Sequence, residues 1–373
     1  MGIVLLYFFV AVQLAYALFF FIRIFSLPGS NPNTTFLQQP VSIVICAKNE
    51  AANLKKNLPS ILAQRYSNPD SGLPQYEVIV VNDASEDDTV QVLMDLELRY
   101  DNLWDISISK NAERNLPGKK FALSKALEVA QHNWLLLTDA DCAPAGDEWL
   151  GKMVAPLAKG NEIVAGYGGY TKGNGLLNAF IRWETLHTFM QYGTYALAGK
   201  PYMAVGRNLA CTKDALLKAQ NSPLWGALPS GDDDLLVSLS GNSNNTAVVC
   251  DAAAFTFTST KASWKEWVAQ KQRHLSTGKY YKKETKLLLG FYAATHAAMW
   301  LSFFVLLFSP YCIMAMKVMA LRCMLYWCIW VATAVRLREK KLIYFFPLFD
   351  IAWMVYNFVF FPYITWKDKQ NWK

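Results

Sequence analysis

Trp134-Leu135-Leu136-Leu137-Thr138, followed at once by Asp139-Ala140-Asp141, is the stretch on which the fold turns. A short, continuously apolar run suits a strand covered on both faces, as in a parallel sheet. Three upstream runs have the same character: Val41 to Cys46 (VSIVIC), Glu77 to Val81 (EVIVV) and Asp105 to Ile108. Between them lie Glu50 to Arg65, Asp87 to Arg99 and Lys119 to Gln131, each able to form an amphipathic helix. Alternation of strand and helix predicts a doubly wound α/β domain, in which ligands bind beyond the carboxyl ends of the strands.

The residues after those strands are therefore the candidate site. They are Ala47-Lys48-Asn49-Glu50, Asn82-Asp83-Ala84-Ser85 and Asp139-Ala140-Asp141. Asn49 and Asp83 could equally cap helices. Asp139 and Asp141 are two residues apart, so the pleat of a strand sends both carboxylates to one side. Paired carboxylates suit a hard divalent cation, Mg2+ or Mn2+, which takes oxygen ligands and shares them with substrate phosphates. No zinc-ligand spacing and no Ser-His-Asp pattern is visible, and His132, His187 and His296 read as packing residues.

The two ends of the 373-residue chain are apolar. Ile3 to Phe25 carries one charge, Arg23, and about 20 apolar residues suffice to cross a bilayer. No basic residue precedes the run, which argues for a retained anchor over a cleaved secretory signal, with a polar linker starting at Leu27-Pro28-Gly29. Three further spans are expected at about Leu287 to Phe308, Tyr311 to Val335 and Leu342 to Thr365. Lys317 and Arg322 interrupt the second, where they either snorkel or make the segment partly interfacial, and Asp350 in the third is expected to pair with a neighbouring helix. The resulting division is an anchor over 1–26, a cytoplasmic domain over 27–286 with an interfacial helix at about 261–280, and a C-terminal transmembrane region over 287–373. Arg23 and the run Arg336 to Lys341 set the orientation by the positive-inside rule. That leaves the tail Trp366 to Lys373, with three lysines, on the opposite side. The net charge of +7 suits anionic headgroups, no nucleic-acid module is visible, and seven cysteines without a CxxC pair fit reduced thiols.

In order along the chain, VSIVICAKNEAANL, EVIVVNDASEDDT, GKKFALSKALEVAQHNWLLLTDADC, GRNLACTKDAL, GDDDLLV and QKQRH resemble the membrane-bound members of family 2 glycosyltransferases, from about Val41 to His274. The resemblance implies a GT-A fold with a mixed sheet, inverting transfer from a nucleotide-diphospho-sugar, usually UDP-linked, and a multi-pass protein of the cell's inner (plasma) membrane. By that resemblance Ala47, Asn49 and Glu50 receive the nucleotide, Asp83 reads the base, and Lys119 lies near the nucleotide-sugar. Asp141 is the metal ligand, with Asp139 beside it and nearer the ribose or sugar, and Gly206-Arg207-Asn208 walls the sugar and acceptor pocket. The base is Asp233 or Asp232, depending on whether Leu236 or Leu235 is the matching leucine; three aspartates after the Pro-Ser-Gly turn could also simply open a helix. Gln270, Arg273 and His274 match a Gln-x-x-Arg-Trp motif in which histidine replaces tryptophan, and the smaller ring weakens the case for a processive polysaccharide synthase. The same segment could be an interfacial amphipathic helix, and both readings can hold together. A lipid or lipid-linked saccharide is the expected acceptor. The competing readings are a nucleotidyltransferase, which gives no reason for GDDD or QKQRH, and a non-catalytic membrane scaffold.

Overall fold

The computed structural model describes residues 1–27, 39–68, 71–228 and 231–365. The linker from Pro28, the Pro229-Ser230 part of the turn before the aspartates and the tail from Trp366 lie outside the described residues.

After the first apolar helix, α1 (Gly2–Phe19), the chain alternates as its pattern predicts: β1 (Val41–Ala47), α2 (Ala51–Leu62), β2 (Tyr76–Asp83), α3 (Thr89–Glu97), β3 (Leu103–Ile108), α4 (Lys119–Val129) and β4 (Trp134–Asp139). These four strands pair in parallel in the order β3-β2-β1-β4. Every residue of β1 and β2 is buried, which is why both read as unbroken apolar runs. Then come β5 (Ala143–Pro144), α5 (Trp149–Val154), β6 (Ile163–Ala165), β7 (Gly168–Tyr170) and the long α6 (Leu176–Leu197). Next are β8 (Leu209–Thr212), α7 (Lys213–Gln220), α8 (Pro223–Ala227), α9 (Asp232–Ser240), β9 (Thr246–Val248) and β10 (Thr256–Thr258). β8 pairs antiparallel with β4 and β6, and β9 closes the edge, giving a mixed seven-stranded sheet. A second sheet has the order β5-β10-β7, and its strand β5 follows β4 in the chain. The strands of two to four residues past β4 carry too little periodicity to be read from sequence.

α10 (Trp264–Leu275) opens on Ser263, whose hydroxyl accepts from Glu266 N at 3.2 Å, a cap of about 1 kcal/mol. It lies within the expected interfacial segment. Three apolar helices follow: α11 (Lys283–Leu306), α12 (Cys312–Arg336) and α13 (Phe346–Thr365). With the N-terminal helix, four segments among the described residues are long and apolar enough to cross a membrane. The soluble and apolar parts share one core rather than meeting at a linker. Trp183 of α6 stacks on Trp330 of α12 (ring centroids 5.1 Å apart), and His187 packs against Trp353 of α13 at 4.1 Å.

Arg322 does not snorkel. It is fully buried and pairs with Asp350, which also accepts from Trp300 Nε1 at 3.0 Å. His296 Nε2 lies 3.3 Å from the same carboxylate, so this histidine is a polar partner and not the packing residue expected. His187, by contrast, does pack within an aromatic stack.

Candidate active site

β1 and β4 end side by side, Cys46 opposite Asp139, so the loops that follow them open onto one rim. A cavity of about 900 Å³ lies there, lined by Lys48, Glu50, Lys119, Asp139, Asp141, Arg207, all three of Asp232 to Asp234, and Gln270, Arg273 and His274. It extends without a break to Leu289, Gly290 and Ala293 of α11 and to Asn357, Phe358 and Phe361 of α13. The acidic residues of separate chain segments thus share a chamber with the apolar helices.

The three successive aspartates divide their work. Asp232 lies 3.5 Å from Lys119 Nζ, which itself donates to Asp139 Oδ1 at 2.7 Å. Lys119 therefore bridges the end of β4 to the start of α9. Asp233 accepts from Gly206 N at 2.7 Å and from Asp234 N at 2.9 Å, which fixes its carboxylate. Glycine at 206 allows that approach, since a Cβ there would stand 3.2 Å from Asp233 Oδ2. Asp234 turns inward to accept from Thr277 Oγ1 (2.7 Å) and Tyr281 Oη (2.8 Å), tying α9 to the segment before α11. Gly231, the cap residue just before α9, has φ +80, a conformation only glycine takes without strain.

Burial, with the charge of Asp232 beside it, pushes the Asp233 carboxyl up to about 6. Asp234 is likewise held well above the usual carboxylate range, by burial and then by its neighbour Asp233. Burial works against charge on Lys119, yet Asp139 and Asp232 outweigh it and hold the ammonium well above its usual range. Burial likewise opposes ionisation of Asp139, and Lys119 overrides it, holding the carboxyl low. His274 projects into the cavity, where enclosure and the positive charges of Lys271, Arg273 and Arg207 hold its pKa well below the ordinary value, so the ring is neutral at neutral pH.

A cation would find its ligands at the end of β4. Asp139, Asp141 and Cys142 offer ligand atoms within 4.8 Å of one another. Cys142 is a buried thiol donating to Asp141 Oδ1 at 3.4 Å, and burial with the two carboxylates holds it protonated, which leaves the oxygen pair that a hard ion prefers. The donor set fits Mg2+ or Mn2+.

Not every expected residue reaches the cavity wall. Ala47 is buried in β1, and Asn49 stitches two loops together, accepting from Glu86 N at 2.8 Å while its own N–H donates to Ser85 Oγ at 2.8 Å. Neither Asn49 nor Asp83 caps a helix: the cap positions are Glu50 and Asp88. Asp83 is buried beneath Arg114, whose Nη1 donates to it at 3.2 Å and whose guanidinium lies over Phe121. Asn208 is also structural, donating to Tyr167 O and Ala254 O, while Arg207 hooks Gly168 O from within the cavity wall. Sequence reasoning missed Arg114, in the irregular stretch after β3, and Glu184, a buried residue of α6 that holds Lys271 at 2.5 Å and so fixes α10. It also missed Lys120, a buried neighbour of Lys119 whose ammonium donates to Trp225 O (2.9 Å) and Leu228 O (2.7 Å) and braces α8. Only the unusual placement of an acid inside an apolar helical run could have flagged Glu184.

Residues 42–217 match the Glycosyl transferase family 2. Among curated proteins, the chain is 32% identical over 136 residues to Glycosyltransferase AglE of Haloferax volcanii, which covers 36% of this chain and 41% of that protein. It is 33% identical over 125 residues to Beta-monoglucosyldiacylglycerol synthase of Trichormus variabilis, 34% of this chain and 25% of that one. The matched stretches thus span less than half the length of these relatives. Among solved structures, the mannosyltransferase PcManGT from Pyrobaculum calidifontis, in complex with GDP-Man and Mn2+, superposes over 96% of this chain and 99% of its own with a TM-score of 0.58 at 16% identity. That likeness establishes the fold, a GT-A type mixed sheet with its apolar helices.

Proposed function

Since residues 42–217 are a family 2 glycosyltransferase domain, we propose that the protein moves a sugar, with inversion, from a nucleotide-diphospho-sugar to a hydroxyl of a lipid or lipid-linked saccharide. One observation carries the reading: the carboxylates at the sheet's rim and the apolar helices α11 and α13 line the same cavity. A soluble acceptor needs no such continuity. A glycosylated lipid requires its hydroxyl at Asp233 while its chains stay among apolar side chains. The name of the diacylglycerol synthase relative points the same way.

Asp233 is the base in this reading. Its two backbone hydrogen bonds orient it, and a pKa of about 6 leaves it ionised at neutral pH yet basic enough to take a hydroxyl proton. Asp232 stands against Lys119 and is the poorer candidate. Asp141 and Asp139 would hold the Mg2+ or Mn2+, which when bound neutralises charge on the leaving diphosphate. Arg273 and Gln270 face the cavity from α10, where a guanidinium can meet phosphate oxygens at two points. His274, neutral, offers a flat ring to the sugar. The donor we favour is a uridine diphospho-sugar, as the family resemblance implies. Asp83 meets its base only once Arg114 swings off the carboxylate, while Ala47, Asn49 and Glu50 shape the loop that receives it.

Orientation follows from the basic run. Arg336 donates to Leu27 O (2.9 Å) and Phe25 O (3.0 Å), and Arg338 O accepts from Lys172, so the basic segment lies on the same side as the catalytic domain. By the positive-inside rule that side is the cytoplasm, and the membrane is the cell's inner (plasma) membrane. Detergent-purified protein with Mn2+ or Mg2+, screened against nucleotide-sugars and followed by extraction of native lipid, should yield a sugar-bearing lipid product. Release of sugar only to water or to soluble acceptors, with every lipid fraction inert, would defeat the acceptor assignment.

A further inference from the structure

The four apolar helices meet the catalytic domain in two different ways. α1 touches it near one end, where Phe20 stacks on Tyr195 with centroids 4.1 Å apart. α11 touches it as far as Tyr292, 6.4 Å from His187, and then packs Met299, Trp300 and Leu306 among Ile3, Leu6 and Val10 of α1. α12 reaches it with Trp330, whereas Ala315 and Met319 belong to the remote cluster. That is how a spanning helix behaves: it leaves the domain after a few turns.

α13 does not leave. Phe349 packs on Phe180 of α6 (5.4 Å), Trp353 on His187 (4.1 Å), and Tyr356 and Phe360 on Trp267 of α10 (6.1 and 5.8 Å). Ile364, in the last turn, packs against Gly278. The contacting positions 349, 353, 356 and 360 fall on one helical stripe, and they run from one end to the other. A 20-residue helix is about 30 Å long, the thickness of the hydrocarbon layer. Had it crossed, its last turn would lie a bilayer's depth from the domain. Instead Phe346 sits beside Trp330, near the domain end of α12, and Ile364 sits beside Gly278, just before α11 begins. Both ends are therefore on the domain's side. The opposite stripe is apolar and exposed: Leu348, Val355 and Val359 are 56%, 53% and 52% exposed. Between the stripes, Asp350 is held by Arg322, Trp300 and His296, which anchors the helix against α11 and α12.

We infer that α13 does not cross the bilayer but lies along the leaflet that faces the catalytic domain, one stripe on the domain and the other in acyl chains. Its length and hydropathy come from facing apolar surroundings on both sides, not from spanning. The chain then crosses the membrane with α1, α11 and α12. With three crossings the positive-inside rule is no longer in conflict with the three lysines that follow Thr365 in the sequence.

The test uses the full chain in sealed vesicles, with one epitope tag after Lys373 and, in a second protein, a tag between Ser309 and Pro310 in the turn joining α11 to α12. Protease should cut or spare the Lys373 tag together with the catalytic domain, and treat the 309–310 tag oppositely. If the Lys373 tag follows the 309–310 tag, α13 spans and the inference fails. Should a tag disturb insertion, Thr365→Cys and Ser309→Cys give a second reading. Labelling by an impermeant maleimide, counted above that of the parent chain, should rise for Thr365→Cys only from the domain's side; a rise only from the other side overturns the inference.

Discussion

Two clusters of enclosed charge lie at opposite ends of this molecule's chemistry. Beneath the domain, Asp350 is surrounded by Arg322, Trp300 and His296, away from the cavity wall, and its charge is met by that of Arg322. At the sheet's rim, Lys119 is shared between Asp139 and Asp232, while Asp141 and Asp233 stand nearby facing open space. The first cluster is closed and positions helices. The second is open to a cavity, where burial first and the charge of Asp232 second raise the pKa of Asp233. Charged groups with shifted pKa values that line a cavity suit a binding or catalytic site, whereas a charge pair sealed in a core suits a joint between helices.

The widest separation between the two should be seen in stability. Asp350→Ala strands Arg322 in an apolar layer, and breaking a buried pair from one side costs about 3–5 kcal/mol. Thermal unfolding in detergent should show a large loss for Asp350→Ala and a much smaller one for the double variant Arg322→Met with Asp350→Leu. Equal losses would mean that the pair is not what joins α12 to α13. Asp233→Asn should do the opposite: stability is kept or improved, and turnover falls at least about 100-fold, roughly 2.7 kcal/mol of barrier, with donor binding intact. A rate within about tenfold of the parent would remove Asp233 from the base's role. A smaller effect is expected where the rim is braced. Tyr281→Phe removes one hydrogen bond to Asp234 and should cost about 1 kcal/mol of stability without changing the pH profile.

The same division explains what could be read from the chain. VSIVIC, EVIVV and WLLLT announced a covered parallel sheet because their side chains have no solvent face, and Asp139 and Asp141 stood out because they follow such an apolar strand directly. The short strands β5 to β10 carried no such signature. Pairing across helices was the hardest to see: Arg322 and Asp350 are 28 residues apart, and nothing local tells a snorkelling arginine from a paired one. Arg114 over Asp83 and Lys271 on Glu184 were hidden for the same reason, since each contact joins separate elements. The three aspartates were legible as a group but not individually. Their division among Lys119, Gly206 N and Tyr281 exists only in three dimensions.

That division supports the finest test of the rim. Burial raises the Asp233 pKa first and the charge of Asp232 adds to it. The base works only when ionised, so activity should fall as pH drops through about 6. In the parent protein kcat/KM against pH should therefore show an acid limb near that value, and in Asp233→Asn the limb should vanish with the rate. Asp232→Asn keeps the base and removes the negative neighbour, so ionisation of Asp233 becomes easier and the limb should move to lower pH, with only a modest change in the plateau. The contribution of Asp233 to stability has the opposite dependence. A carboxyl raised above its unfolded value favours the folded state below that value, and the gain is lost as pH rises through about 6. Asp233→Asn should thus flatten the dependence of stability on pH between about 4 and 6. An acid limb unmoved by Asp232→Asn would show that the two carboxylates do not sense each other, and the rim would then be as closed an arrangement as the cluster around Asp350.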